Sequence, residues 1–311
     1  AIGRASCLLQ LALGNVGVSG GGTNIFRGHD NVQGITDVGA NPDSLPGYYG
    51  IAEGSFKHFA AAWGVDFEWI KKQYAPGMMT KPGLTISRWY DAVLEKPELI
   101  DQESNLRGMF YWGHAPNSQS RGLDLKRGMD KLDLLVVVDP FPSATAAMAA
   151  MPGKPEDLNP KRAVYLLPAC TQFETSGSVT ASNRSIQWRE KVMEPLFESR
   201  SDHMIMYQLA QKLGFAEHLV KHYKMQKVHG MDEPMPEEIL REINRSVWTI
   251  GYTGQSPERL KAHMRNMNVF DVKTLKAKGG KDKETGDEFG GDYFGLPWPC
   301  YGPPELKHPG S

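Results

Sequence analysis

Residues 134–140 read LLVVVDP, an unbroken aliphatic run that is ended by an Asp-Pro pair. A run that is apolar at every position and rich in valine is typical of a strand that is buried on both faces, as in a parallel sheet. Similar runs occur on either side, at residues 109–112 (MFYW) and 164–167 (VYLL). These three runs predict neighbouring strands of one parallel sheet.

The two segments between these runs favour helices. Residues 118–131 are polar with apolar side chains at helical spacing, and residues 143–151 (SATAAMAAM) are rich in alanine. Ser143 stands where an N-cap is expected. The resulting βαβαβ order predicts an α/β fold, a doubly wound parallel sheet that we place within residues 106–220.

In such sheets ligands bind outside the carboxyl ends of the strands. The loops expected there are residues 113–117 (GHAPN), 139–143 (DPFPS) and 168–171 (PACT). Gly113 allows the backbone to approach a pyrophosphate closely, and the start of the next helix offers free N–H groups. Asp139 could accept hydrogen bonds from guanine or ribose, or it could be a structural cap on the next helix.

A second polar stretch lies near the amino terminus. Residues 24–34 read NIFRGHDNVQG and follow the glycine-rich residues 17–22. Arg27 offers a planar fork of donors that matches a carboxylate or phosphate, and His29 can carry or release a proton near neutral pH. The alternative is a solvent-exposed glycine-rich loop with an incidental arginine.

The composition limits the classes of protein. The 311 residues are 40% hydrophobic and 23% charged, as expected of one large or two modest globular domains. A net charge of −1 argues against a general nucleic-acid binder, and no apolar run is long enough to span a membrane. Three cysteines without CxxC spacing give no disulfide framework or zinc motif, which favours a reducing, cytoplasmic compartment.

Residues 11–17 (LALGNVG), the glycines that follow and residues 26–34 (FRGHDNVQG) together resemble the catalytic alpha subunit of molybdenum- or tungsten-dependent formate dehydrogenases. The likeness is to the soluble, NAD-linked branch of a family that binds two molybdopterin guanine dinucleotides per metal. In that family an R-G-(Q/H)-x-N-V-Q-G segment crosses the active site. The resemblance implies oxidation of formate to carbon dioxide, with the reverse reaction left open.

The resemblance also implies roles for residues of this segment. Arg27 would fix the formate carboxylate, and His29 would hydrogen-bond the substrate or help to move its proton. Gly28 would contact the bis-molybdopterin guanine dinucleotide. The metal ligand, cysteine or selenocysteine, would lie upstream. Partner subunits or domains with iron–sulfur clusters and FMN would pass the electrons to NAD.

Further cofactor contacts follow from family patterns around the strand ends and in an E-x-x-G-x-(F/V)-T-x-x-x-R-x-x-Q segment. They fall on Gly113, His114, Asn117, Asp139, Ser143, Thr145, Thr171, Glu174, Gly177, Thr180, Arg184 and Gln187. The pair His114-Ala115 departs from the commoner form of the first pattern, which leaves the contact there open. A salt bridge between Arg184 and Glu174 is an alternative to cofactor binding.

Both ends of the sequence look cut, so we expect the central part of a larger multidomain catalytic subunit. Residues 1–34 would end one α/β domain and carry the active-site loop, and residues 35–105 would be an irregular connection. Residues 106–220 would be the nucleotide-binding α/β domain, and residues 221–311 a helical and loop segment that leads to a carboxy-terminal domain. Within it, the charged residues 276–287 (KAKGGKDKETGD) predict a solvated loop or a subunit contact.

Two other functions remain open. One is another bis-molybdopterin oxidoreductase, such as a nitrate or polysulfide reductase, although residues 27–29 (RGH) argue against it. The other is a molybdopterin-binding or handling protein without redox activity. A nicotinamide site built on residues 17–22 is disfavoured, because a helical segment and not a strand precedes these glycines.

Overall fold

The structure is a computed structural model. It describes residues 2–16, 22–23, 30–151, 153–181, 185–248, 256–269, 277–291 and 296–297. Some residues to which the resemblance gives a role lie outside these ranges, namely Arg27, Gly28, His29 and Arg184.

Helices and strands are mixed along the described chain. The helices are α1 (Ile2–Ala12), α2 (Val32–Asp37), α3 (Glu53–Trp63), α4 (Phe67–Lys72), α5 (Asp91–Leu94), α6 (Pro97–Ile100), α7 (Gly122–Lys131), α8 (Ala144–Ala150), α9 (Asp202–Leu213), α10 (Ala216–Leu219), α11 (Pro236–Ser246) and α12 (Pro257–Arg265). The strands are β1 (Ser44–Leu45), β2 (Tyr49–Gly50), β3 (Gly108–Trp112), β4 (Leu134–Asp139), β5 (Ala163–Pro168), β6 (Gly177–Thr180), β7 (Ser185–Arg189), β8 (Met225–Val228), β9 (Met231–Pro234), β10 (Ala277–Lys281), β11 (Glu288–Gly291) and β12 (Leu296–Pro297). Among the residues described, no helix is both long and apolar enough to cross a membrane.

The three apolar runs form one parallel sheet with the strand order β3-β4-β5. Val136 at the centre of β4 lies opposite Phe110 on one side and Tyr165 on the other. Helices α7 and α8 make the two crossovers. The predicted α/β class and its parallel sheet are therefore confirmed.

Helices cover both faces of the central strand β4, whereas Val164, Tyr165 and Leu166 of the edge strand β5 are exposed. Because side chains alternate along a strand, Leu135 and Val137 point to one face and Val136 to the other. The first face packs against α7 and α8, with Leu125 of α7 fully buried. The second packs against α9 through Ile205. The helix on the second face comes after the sheet in the chain.

Strands β6 and β7 form an antiparallel hairpin outside the parallel sheet. Ile186 and Trp188 of β7 are buried in one cluster with Phe59 of α3, Leu240 of α11 and Leu260 of α12. Alternate residues of β7 therefore face this apolar core, and the residues between them face away from it. This arrangement presents one side of the hairpin to α2, which contacts β6.

The connection at residues 35–105 includes short helices, and α3 among them buries Phe56 and Phe59. The prediction of a solvated loop at the charged residues that follow α12 needs correction, because β10 and β11 pair as an antiparallel hairpin. At its turn, the buried Asp282 accepts hydrogen bonds from Arg265 Nε (3.1 Å) and from the Thr285 N–H (3.0 Å). The alternative of a subunit contact stays a prediction.

Candidate functional site

The loops at the carboxyl ends of β3, β4 and β5 contact one another. The Thr145 hydroxyl at the start of α8 donates a hydrogen bond to the carbonyl of His114, which follows β3. The Ala169 N–H after β5 donates to the carbonyl of Asp139 at the end of β4 (3.2 Å). The structure thus brings together the three loops that the sequence placed at this edge.

The loop after β3 combines an open glycine with a half-buried histidine. Gly113 is exposed with φ +56°, and no atom lies within 4 Å of the position that a Cβ would take. The His114 ring stacks on Tyr111, with ring centroids 5.8 Å apart, and its Nε2 contacts the Gln119 amide nitrogen. Burial lowers the pKa of His114, so its imidazole is neutral at neutral pH. Asn117 is exposed beside it.

The loop after β4 is braced by Asp139. Its Oδ1 accepts a hydrogen bond from the Phe141 N–H (3.1 Å), and its Oδ2 accepts one from the Ser143 hydroxyl (2.9 Å). Ser143 does occupy the N-cap position of α8, but its side chain makes no capping hydrogen bond. The predicted serine cap is therefore wrong, because the hydroxyl is bound to Asp139 instead. Thr145 is fully buried and holds the neighbouring loop.

The loop after β5 is organised around the buried Glu174. Its Oε2 accepts hydrogen bonds from the N–H (2.6 Å) and hydroxyl (2.8 Å) of Thr171, and its Oε1 accepts one from the Leu196 N–H (2.7 Å). Burial acts to raise the pKa of Glu174, but these donors outweigh it and hold the pKa below its ordinary value. This carboxylate is ionised and shapes its own loop.

The NVQG end of the amino-terminal segment meets strand β6. The Asn31 side-chain oxygen accepts a hydrogen bond from the Thr180 N–H (3.0 Å), across 149 positions of sequence. A Cβ at Gly34 would lie 2.1 Å from that same oxygen, so only glycine leaves room for the Asn31 side chain. Two segments that the resemblance assigns to one site are therefore in contact. Gln187 lies on β7, opposite Val179 of the same hairpin.

We expect Gly34→Ala to break this contact. The added methyl group would displace Asn31 and leave the Thr180 N–H unpaired, which costs about 1–3 kcal/mol. Hydrogen–deuterium exchange of peptides that cover β6 in the full-length protein should become faster. Gly54→Ala is the matched control, because Gly54 is exposed on α3 with no atom near its Cβ position. Equal exchange in both variants would contradict the assigned role of Gly34.

Arg189, the last residue of β7, was not among the site residues predicted from the sequence. Its Nη1 donates to the carbonyls of Gln172 and Thr175, and it lines a cavity beside Asn31. The available signal was the alternation along β7, which places Arg189 on the same face as Gln187, away from the buried Ile186 and Trp188.

Comparison with known proteins gives consistent similarities. A family model described as molybdopterin oxidoreductase matches residues 1–212. The F420-dependent formate dehydrogenase subunit alpha of Methanocaldococcus jannaschii is 30% identical over 260 residues, which is 83% of this chain and 31% of that protein. The formate dehydrogenase subunit alpha of Megalodesulfovibrio gigas is 30% identical over 240 residues, 68% of this chain and 23% of that protein.

A third relative is the formate dehydrogenase 2 subunit alpha (cytochrome c-553) of Nitratidesulfovibrio vulgaris. It is 30% identical over 283 residues, which is 79% of this chain and 27% of that protein. The chain thus spans less than a third of the length of each of these three relatives.

Proposed function

The chain belongs to the molybdopterin oxidoreductase family, and from that membership we propose that it is part of the catalytic alpha subunit of a formate dehydrogenase. The reaction would be the oxidation of formate to carbon dioxide, a proton and two electrons. The three relatives are named as formate dehydrogenase subunits, which supports this substrate. The observation that carries the proposal is the contact between Asn31 and Thr180, because it joins the FRGHDNVQG segment to the hairpin that the resemblance assigns to the cofactor.

The strand-end loops fit a guanine dinucleotide. Gly113 is exposed with open space above its backbone, and Asn117 presents an exposed amide beside it. Asp139 is half-buried, and its two oxygens each accept one hydrogen bond, which leaves capacity for a guanine or ribose donor. We therefore assign residues 106–220 as the nucleotide-binding domain of a bis-molybdopterin guanine dinucleotide site.

Within this proposal, Arg27 and His29 each have a defined task. Arg27 would hold both formate oxygens through two parallel N–H···O bonds and so fix the direction of the C–H bond. His29 would take up the proton that the reaction releases. When bound, the molybdenum or tungsten cofactor supplies the two-electron redox chemistry.

The electron acceptor differs among the relatives. We infer that iron–sulfur clusters and FMN in partner subunits or domains would carry the electrons to NAD in the cytoplasm. Two relatives are named for F420 and for cytochrome c-553. Formate-dependent reduction of NAD by the native complex, compared with reduction of an F420-type deazaflavin and a c-type cytochrome, decides between these acceptors.

Elemental analysis of the natively purified full-length protein is the direct test. We expect molybdenum or tungsten in stoichiometric amount, together with formate-dependent reduction of a viologen dye. Metal with nitrate or polysulfide reduction but no formate oxidation would favour another bis-molybdopterin oxidoreductase. Protein with neither metal nor activity, but with affinity for free molybdopterin, would favour a handling protein.

A further inference from the structure

A cavity of about 290 Å³ lies beside Asn31, between α2, the β6–β7 hairpin and α11. Its walls on the helical side are apolar and include Ile35 and Ile239. The rest of its lining is largely polar and includes Arg189 and His203. We call this space the Arg189 cavity. It is too small for a dinucleotide, and it has room for an anion of a few atoms.

Arg189 brings a poorly compensated positive charge to this cavity. The described hydrogen bonds of its guanidinium run from Nη1 to two neutral backbone carbonyls. Within the described part of the chain, Asp30 and Asp202 are the carboxylates that act on Arg189, and they do so through charge without an ion-pair contact. Burial lowers the pKa of Arg189 but leaves the group charged at neutral pH. Arg189 is half-buried, so its guanidinium has lost part of its water without a contacting counter-ion, and a bound anion would offset that loss.

His203 supplies a second, well-oriented group. Its Nε2 hydrogen-bonds Glu233 Oε1 (2.6 Å), and the same carboxylate oxygen accepts a hydrogen bond from the Ser201 hydroxyl (2.9 Å). Glu233 is only 4% exposed. Burial acts to raise the pKa of Glu233, but the hydrogen bonds from His203 and Ser201 outweigh it, so the carboxylate is ionised. An ionised partner on Nε2 fixes the orientation of the ring.

The other ring nitrogen of His203, Nδ1, makes no hydrogen bond to any described residue. Nδ1 of His203 is therefore the ring nitrogen that is left for a ligand. Asp202 also lines the cavity, but its carboxylate accepts the indole N–H of Trp112 (2.5 Å), which lies outside the lining. The polar lining of the cavity thus includes a guanidinium and an imidazole nitrogen without a described hydrogen-bond partner.

We propose that the Arg189 cavity binds a small oxyanion, with Arg189 as the fixed charge and His203 as a second polar group. On the proposed function, that oxyanion is formate, which would bind here before it reaches Arg27. Asn31, which lines the cavity, follows Arg27 by four residues in the sequence. The same chemistry would also accept a phosphate group of the cofactor. Only the identity of the anion rests on the proposed function.

The test compares Arg189→Gln with wild type in the full-length holoenzyme. Loss of one charge-assisted contact is expected to raise the KM for formate about 10- to 100-fold, with a much smaller change in kcat. His203→Gln is expected to raise KM less, and Arg189→Lys should give an intermediate value. The matched control is Arg107→Gln, because Arg107 is exposed and paired with Asp133 away from the cavity. An unchanged KM in Arg189→Gln would overturn formate as the occupant.

A direct binding measurement tests the oxyanion site independently of formate oxidation. Line broadening of ¹³C-formate in NMR is measured with full-length Arg27→Ala protein that was produced without molybdate or tungstate, so that the proposed formate contact at Arg27 does not contribute. In this background we expect broadening with and without Arg107→Gln, its loss with Arg189→Gln, and competition by inorganic phosphate. Circular dichroism confirms that each variant is folded, and Arg189→Lys replaces Arg189→Gln if the latter does not fold.

The outcomes are distinguishable. Broadening that survives Arg189→Gln, with an unchanged KM, would mean that no oxyanion is bound by this residue. Loss of molybdopterin from Arg189→Gln, with formate binding retained, would identify a cofactor phosphate as the occupant in place of formate. Wild type that binds formate at Arg189 but never oxidises it would refute the proposed function and leave the oxyanion site in place.

Discussion

Replacement of Arg27 by alanine in the full-length protein is expected to lower kcat/KM for formate by about 10²–10³-fold or more, with metal and pterin content unchanged. The proposed task of Arg27 is to hold the carboxylate in one orientation, and a lost donor of that kind commonly costs this much. Steady-state kinetics and elemental analysis on the same preparation measure both quantities.

The described neighbours explain why the variant should keep its cofactor. The chain that follows Arg27 is anchored at Asn31, which accepts the Thr180 N–H, and Gly34 makes room for that contact. Both anchors are residues other than Arg27. Arg27→Lys is the matched control, because it keeps the charge but loses the planar fork, and it should give an intermediate loss. Metal loss in Arg27→Ala would instead show that the arginine is structural.

The strands of the parallel sheet could be predicted because their signal is local. Residues 134–138 are aliphatic at every position, and such a run has few alternatives to a strand that is covered on both faces. The position of the strand-end loops then follows from the parallel order. The helix on the second face could not be foreseen in the same way, because α9 follows the sheet and β6–β7 in the chain and packs back on Val136.

Side-chain partners were harder to predict than elements. Ser143 has the sequence context of a helix cap, yet its hydroxyl is bound to Asp139, and both choices are compatible with the local sequence. The charged residues 276–287 look solvated, but Asp282 is buried at a hairpin turn by donors that include Arg265. Each outcome depends on competition between hydrogen-bond partners that only the folded chain brings together.

The polar groups of the candidate site come from distant parts of the chain. Asn31 meets Thr180, and His203 meets Glu233, through packing that no periodic pattern encodes. The alternation along β7 could have identified Arg189 as a residue that faces away from the core. It could not have shown that the described chain leaves this arginine without a contacting carboxylate.

Asp130→Asn is expected to destabilise the protein by about 3–5 kcal/mol. Asp130 lies on α7 and is only 1% exposed, and its Oδ1 accepts hydrogen bonds from Lys126 (2.5 Å) and from Arg162 Nη1 (3.0 Å). The Nε and Nη2 atoms of Arg162 are buried with no hydrogen-bond partner in the described chain. Removal of the carboxylate would leave that guanidinium buried without a counter-ion, which costs more than the ion pair itself contributes.

Guanidinium chloride unfolding of the full-length protein, followed by far-UV circular dichroism, measures this effect. Asp133→Asn is the matched control, because Asp133 pairs with Arg107, whose side chain is 81% exposed, and such a pair is worth about 1 kcal/mol or less. In the double variant Asp130→Asn with Arg162→Met, the buried charge is removed as well, so part of the stability should return. An equal loss in Asp130→Asn and Asp133→Asn would show that the buried network does not stabilise the sheet. A double variant as unstable as the sum of its single variants would show that the two side chains act independently, and that the cost at Asp130 is one of packing.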